Sequence, residues 1–376
     1  MEKQVLTING KSCDFKAGDT ILEAARANGI HIPTLCYLKG ASPTGACRIC
    51  LVEIEGGKDL AASCATPAVD GMVVYTDSKR VIDARRFNLE LLLASGNHNC
   101  LVQSKDASSW TDFQLRAMEA PEHKDICPSY GDCRLQDLAI EYRIKDIRFD
   151  VDRTKYPTED INPLIIRDFS RCILCGRCVQ ACNEVVVNSV ISLGNRGADA
   201  KVMTKGDRPY HESDCVFCGQ CIEVCPVGAL VEKKSAGFGP ASDIKKVRTT
   251  CPYCGVGCQL WLHMDGDKIK KVTAVENGAP NQGRLCVKGR FGYDFIYSGE
   301  RLRTPLIKEK DGFREASWDE ALDLVADKFK EIIEKHGPDA LAGVSCARSI
   351  NEDSYQMQKL FRSVFKTNNI DHCART

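Results

Sequence analysis

Two stretches of the chain repeat one arrangement of thiols. Cys172, Cys175, Cys178 and Cys182 stand in CILCGRCVQAC, and Cys215, Cys218, Cys221 and Cys225 stand in CVFCGQCIEVC, with Pro226 directly after. Both read C-x2-C-x2-C-x3-C. Three thiolates at that spacing wrap one face of a cubic iron–sulfur cluster, and the fourth lies too far along to close its own cube. Zinc is the competing chemistry. It takes four ligands in a closed tetrahedron, usually from two separated C-x2-C pairs, and two runs of four fit that poorly.

In two-cluster ferredoxins the fourth cysteine of each run ligates the other cluster, and the stretch from Arg171 to Pro226 resembles such a module. The resemblance implies that Cys182 joins the second trio and Cys225 the first. A different pattern lies near the start: Cys36, Cys47, Cys50 and Cys64, spaced C-x10-C-x2-C-x13-C. Plant-type [2Fe–2S] ferredoxins also combine a loop containing a C-x2-C pair with one distant cysteine, though their spacing is C-x4-C-x2-C. Gly40, Gly45 and Ala46 would let the backbone approach the sulfides. Zinc remains the alternative here too. Cys13 falls outside the pattern, on a strand, and reads as a core residue.

The elements that must position these loops are legible in part. Val5–Ile8 and Ser12–Phe15 alternate in polarity and are joined at Asn9-Gly10, a hairpin signal. Thr20 and Glu23 predict a capping box for a helix Ile21–Asn28 that Gly29 ends. Strand, strand, helix and a cysteine-rich loop together predict a β-grasp domain over residues 1–78. An amphipathic helix follows from Ser78 through Val81, Ile82, Phe87, Leu89 and Leu92 to Gly96. Leu135–Ile144 reads as a further helix, and Pro157 and Pro163 mark a linker. A second linker, Ser235 to Ser242, is rich in glycine and serine and predicts a domain boundary.

Between these helices stand His98, Cys100, Cys127 and Cys133. The segment from Cys127 to Cys133-Arg-Leu-Gln resembles a motif of one histidine and three cysteines in the large peripheral subunit of respiratory complex I, iron-only hydrogenases and some formate dehydrogenases. The family order is H-x3-C-x2-C-x5-C. Here Gln103 stands where the middle cysteine should be, and an insertion of about two dozen residues displaces that ligand to Cys127. His98 keeps the family order; His123 keeps the x3 spacing to Cys127. An imidazole in place of a thiolate makes a cluster less negative and tends to raise its potential.

Beyond the second linker come Cys251, Cys254 and Cys258, with Cys286 further on, spaced C-x2-C-x3-C-x27-C. This resembles the N-terminal [4Fe–4S] domain of the molybdenum or tungsten bis-pterin oxidoreductases, formate dehydrogenases and periplasmic nitrate reductases among them. Those proteins place a lysine just after the fourth cysteine, between cluster and pterin, and Lys288 fits. Taken alone, Lys288 would read as a solvated charge, and the four cysteines as a zinc ribbon. Ser317 and Glu320 then cap a predicted helix Trp318–Lys335, ended by Gly337-Pro338. A strand Leu341–Val344 and a helix capped by Asn351 follow. One or two parallel strands with two helices cannot bury a sheet on both faces, so this α/β domain reads as incomplete.

The segments Cys346–Lys359 and Asn368–Thr376 resemble the lead-in to the metal-ligating residue of formate dehydrogenases, where Cys-Ala-Arg-x is followed by cysteine or selenocysteine and then histidine. The chain ends at Cys373-Ala-Arg-Thr376. The resemblance implies that the next residue is the ligand, with the expectation of a selenocysteine whose UGA codon has been read as stop. Cys373 would then be a near-site residue. A genuinely short protein is the alternative.

Composition agrees with metal-ligand cysteines. The chain has 376 residues, and Lys+Arg and Asp+Glu both total 51, so no bulk charge points to nucleic acid. Disulfide-rich secreted chains are normally short and carry a signal peptide, whereas MEKQVLTINGK lacks an apolar core. No apolar run reaches membrane-spanning length. With 22 cysteines, the expectation is a cytoplasmic protein with reduced thiols.

The predicted fold is thus α+β and multidomain: a β-grasp [2Fe–2S] domain (1–78), a histidine-ligated [4Fe–4S] domain (79–150), a two-[4Fe–4S] ferredoxin domain (151–235), a small [4Fe–4S] domain (246–303) and the start of a pterin-binding α/β domain (304–376). The resemblance implies the catalytic subunit of a cytoplasmic formate dehydrogenase with one [2Fe–2S] and four [4Fe–4S] clusters and a molybdenum or tungsten bis-molybdopterin guanine dinucleotide. Its expected partners are a flavin/NAD(P)-reducing subunit, a hydrogenase subunit or a ferredoxin. The 376-residue chain alone is expected to carry clusters without oxidising formate. The alternative is a standalone electron-transfer subunit of a complex-I-like or hydrogenase assembly.

Overall fold

A computed structural model describes residues 4–96, 98, 129, 131–144, 147–150, 156–236 and 244–373. The chain divides into two compact units, Met1–Lys245 and Lys246–Thr376. Among the described residues no helix is long and apolar enough to cross a membrane.

The first unit opens with a five-stranded sheet ordered β2-β1-β5-β3-β4. Its strands are β1 (Gln4–Ile8), β2 (Lys11–Phe15), β3 (Leu51–Ile54), β4 (Ala61–Ala62) and β5 (Val73–Tyr75). β1 and β2 are antiparallel, and Asn9 and Gly10 both take positive φ, as a tight primed turn requires. β1 pairs in parallel with β5. Helix α1 (Ile21–Ala27) buries Ile21, Leu22, Ala24 and Ala25 against Leu6, Ile8, Val52 and Val74 of the sheet. Its capping box is complete: Thr20 accepts from the Glu23 N–H, and Glu23 accepts from the Thr20 N–H at 2.8 Å. Cys13 is fully buried in this core.

Helix α2 (Lys79–Ala94) packs on β3 and on α3 (Arg134–Glu141). The rest of the unit is a quasi-repeat. Strand β6 (Ile165–Arg167) leads into the first cysteine run and α4 (Arg177–Gln180), which continues as a π-turn, Ala181–Val185. The second run leads into α5 (Gln220–Val224) and β9 (Leu230–Glu232), which pairs antiparallel with β6. Between them β7 (Ile191–Gly194) and β8 (Lys201–Thr204) form a hairpin.

The second unit holds a three-stranded sheet of β10 (Lys245–Thr250), β11 (Gln259–Asp265) and β12 (Lys268–Ala274), then the five-residue helix α6 (Val287–Phe291) and the hairpin β13 (Leu306–Glu309) to β14 (Gly312–Glu315). Ser317 caps α7 (Trp318–His336) by accepting from the Glu320 N–H. Strand β15 (Gly343–Ser345) starts two residues later than the sequence predicts and pairs in parallel with β16 (Ile370–His372). The expected Asn351 cap is corrected: Ile350 is the cap position, and Asn351 is already inside α8 (Asn351–Lys359), where its side chain makes no capping bond. Two strands give α7 little to pack on. None of its residues is buried, and Leu322 and Val325 are exposed.

Candidate iron–sulfur sites

The two cysteine runs interlock. One small cavity is lined by Cys172, Cys175 and Cys178 together with Cys225, and a second by Cys215, Cys218 and Cys221 together with Cys182. The local backbone explains how each run curls. Leu174 and Phe217, the same position in the two motifs, both take φ near +51°. That turn aims each N–H back at the first thiol of its run, at 3.4 Å for Leu174 to Cys172 and 3.4 Å for Phe217 to Cys215. Gly176 and Gly219, also left-handed, then start α4 and α5. The π-turn after α4 carries Cys182 onward, where the Val190 N–H meets its sulfur at 3.4 Å.

Burial dominates the chemistry of these thiols. It pushes Cys172 up to about 11 and Cys175 up to about 12, and it raises Cys178 and Cys221 as well. Thiols so placed stay neutral unless a cation arrives, and a bound metal deprotonates them outright.

Cys36, Cys47, Cys50 and Cys64 are all buried and lie within reach of one another. Hydrogen bonds from Cys47 and Cys64 draw Cys36 far down, and the same bonds, with burial, push Cys47 and Cys64 up. Cys50, helped by Cys64, falls to about 6. The group holds negative charge readily but cannot hold four such charges without a metal to offset them. The Ser63 hydroxyl steadies the loop on the Cys50 carbonyl at 2.8 Å. Gly40 and Gly45 take positive φ; a Cβ at Gly40 would meet nothing within 4 Å, so its role there is conformational.

His98 is 3% exposed, and its Nε2 has no hydrogen-bond partner. Burial, reinforced by Arg171, lowers its pKa to about 4, so the ring is held neutral. Gly96 holds it there: a Cβ at Gly96 would stand 2.5 Å from the Ser170 carbonyl and 3.2 Å from Nε2. Cys133 is buried at the start of α3. Cys100, Cys127 and the competing His123 lie outside the described residues.

In the second unit Cys251 is buried, Cys254 and Cys258 are half-buried and Cys286 is exposed. The Cys251 N–H bonds the Cys258 carbonyl at 2.8 Å, closing the loop. Burial raises Cys251 and Cys258, and the charges of Cys254 and Cys286 add to both shifts. Cys286 caps α6, which presents Lys288 with its ammonium 5.8 Å from the centre of the Tyr253 ring. The Tyr253 hydroxyl is fixed on the Gly292 carbonyl.

Sequence reasoning passed over two buried groups, Tyr210 and Arg167, and the half-buried Arg177. Tyr210 is on the wall of the second cavity with its hydroxyl unpartnered. Arg167 stacks between Tyr210 and Phe169, and Arg177 stands beside Cys175. The orphaned His98 nitrogen and the buried thiols suit ligation of iron, and the orphaned Tyr210 hydroxyl suits a cluster sulfur that accepts a hydrogen bond.

Comparison with known proteins agrees with that donor set. Residues 3–79 match a 2Fe-2S iron-sulfur cluster binding domain, and residues 162–231 match the ferredoxin-like domain of NADH-quinone oxidoreductase subunit 3. Residues 244–298 match the molybdopterin oxidoreductase Fe4S4 domain and 301–376 the molybdopterin oxidoreductase model. Over residues 244–376 the chain thus matches molybdopterin oxidoreductases. The NADPH-Fe(3+) oxidoreductase subunit alpha of Geobacter sulfurreducens is 38% identical over 98% of this chain and 40% of its own length. A Staphylococcus aureus protein provisionally named a formate dehydrogenase is 33% identical over 100% of this chain and 39% of its own. The chain therefore spans about two fifths of these relatives. A solved NAD+-reducing [NiFe]-hydrogenase is 30% identical, with a TM-score of 0.53, covering 64% of this chain and 92% of that one. Together these matches give a multidomain arrangement of a 2Fe-2S domain, ferredoxin-like 4Fe-4S domains and a molybdopterin domain.

Proposed function

We propose that the chain is the iron–sulfur, electron-carrying portion of a formate dehydrogenase catalytic subunit. The observation that carries this reading is the exchange of Cys182 and Cys225 between the two cavities, which suits a pair of [4Fe–4S] clusters. Cys36, Cys47, Cys50 and Cys64 would hold one [2Fe–2S] cluster. His98, Cys100, Cys127 and Cys133 would hold a [4Fe–4S] cluster, and Cys251, Cys254, Cys258 and Cys286 another. Boundaries follow the linkers: 1–78, 79–150, 151–235, 246–303 and 304–376.

In a protein of the relatives' length, a molybdenum or tungsten bis-pterin guanine dinucleotide would take two electrons and a proton from formate, leaving carbon dioxide. The chain's own part is to receive electrons past Lys288, whose cation stands beside the cysteine loop, and to hand them along buried thiol-lined sites. The N-terminal domain would meet a flavin/NAD(P)-reducing subunit, a hydrogenase subunit or a ferredoxin, in a reducing cytoplasm.

The test is iron, acid-labile sulfide and EPR analysis of the anaerobically reconstituted chain, then formate-driven cluster reduction in the longer protein loaded with its pterin. One [2Fe–2S] and four [4Fe–4S] signals with reduction by formate are expected. Zinc in place of iron, or clusters indifferent to formate, would sink the reading. A second reading is a standalone electron-transfer subunit of a hydrogenase or complex-I-like assembly. It is favoured by the 92% coverage of the hydrogenase chain, and clusters reducible by NADH plus a partner but never by formate would select it.

A further inference from the structure

Arg177 opens α4 at a seam between the N-terminal cysteine loop and the first cysteine run. Ser42 gives its N–H and its hydroxyl to Glu184 at 2.9 and 3.1 Å, and the Gln180 amide donates to the Ser42 carbonyl. Thr44 places its hydroxyl on the Cys36 thiol and its methyl 3.9 Å from where a Cβ of Gly176 would stand. Cys36, Cys47 and Cys175 share one apolar core.

The Arg177 backbone N–H donates to Cys175. Its side chain is half-buried, its Nε lacks a hydrogen-bond partner, and the sulfurs of Cys175, Cys225 and Cys36 all act on its charge. A guanidinium stays protonated in proteins, so this is a fixed positive charge in a low-dielectric seam. Arg26 of α1 adds a like charge that opposes the effect of those sulfurs.

We propose that Arg177 is a shared potential-setting residue: one cation that stabilises the reduced form both of the cluster on Cys36, Cys47, Cys50 and Cys64 and of the cluster on Cys172, Cys175, Cys178 and Cys225. The inference rests on reading those thiols as iron–sulfur ligands. Each cluster gains one electron, and so one negative charge, when reduced by an external donor such as dithionite. A fixed cation near both lowers the energy of both reduced states. A surface arginine would be screened and act on neither.

The experiment is an EPR-monitored dithionite titration of the reconstituted full chain, comparing wild type with Arg177→Gln, Arg177→Met and Arg177→Lys. The exposed Arg196→Gln serves as the charge control. At a fixed potential, Gln and Met should lower the reduced-to-oxidised ratio of both clusters about tenfold, or about 59 mV for one electron. Lys should recover most of it, and Arg196→Gln should change nothing. A shift confined to one cluster, equal shifts with Arg196→Gln, or failure of all three variants to assemble clusters would overturn the proposal. Wild-type protein without iron and sulfide would instead overturn the iron–sulfur reading beneath it.

Discussion

The guanidinium of Arg167 lies 4.3 Å from the ring centre of Tyr210. It is also 4.9 Å from the ring of Phe169, so one buried cation touches a wall residue of each cavity. Its charge is met by Glu159, and the same two residues exchange backbone hydrogen bonds at 2.8 and 3.0 Å. Removing one partner of such a pair strands the other. Arg167→Met should destabilise the first unit by about 3–5 kcal/mol, with Glu159→Gln in the same chain recovering part of the loss. Denaturant unfolding of the single and double variants measures this, and full additivity would show that the pair is uncoupled.

Tyr210→Phe removes a hydroxyl that has no protein partner. The fold should survive, with an apoprotein stability change within about 1 kcal/mol. The cluster in the second cavity should become harder to reduce, because it loses a hydrogen-bond donor, while the first cluster keeps its potential. Redox titration followed by EPR separates the two, and unchanged potentials would mean that the hydroxyl points away from the cluster.

Cys182→Ser should cost the cluster of Cys215, Cys218 and Cys221 and spare the other. Cys225→Ser should do the reverse. Low-temperature EPR of the two variants reads the outcome directly, and the opposite pattern would refute the exchange of fourth ligands.

The first domain should lose stability at both ends of the pH scale. The Thr20 N–H holds Glu23 below its ordinary 4.5, so its contribution is present above that value and vanishes as pH falls through the folded-state pKa. Burial, then the charge of Glu23, raises Tyr37 from 10 to about 12. The folded state thus keeps a proton that the unfolded chain gives up, and stability falls as pH climbs from 10 to about 12. Denaturation across both ranges should show Glu23→Gln flattening the acid limb and Tyr37→Phe the alkaline one. Thr20→Ala should cost about 1 kcal/mol at neutral pH.

Local signals in the sequence were good guides where neighbours in the chain decide the structure. Asn9-Gly10 made its turn, Thr20 and Glu23 their capping box, and Ser317 its helix start. Asn351 failed as a cap because Ile350 already holds the extended cap geometry. Strands β6 and β9 escaped notice: three residues each leave no periodicity to read, and their pairing spans the whole module. Among site residues, cysteine spacing is a covalent-scale signal and stands out. Arg167, Tyr210 and Arg177 matter through burial and through neighbours distant in sequence, which spacing does not encode. The Arg in CGRC, set against Gln in CGQC, was the one visible hint for Arg177.

The exchange of Cys182 and Cys225 has a consequence for biosynthesis. Read as cubane sites, neither pocket is complete in a nascent chain until the second cysteine run has left the ribosome. At about 5–20 residues per second, the first trio waits several seconds for its last ligand. Throughout that interval its thiols are open to oxidants and to stray copper or zinc. On the cubane reading the first cluster therefore loads only after Cys225 has emerged, and a chaperone that shields Cys172, Cys175 and Cys178 until then would raise its yield.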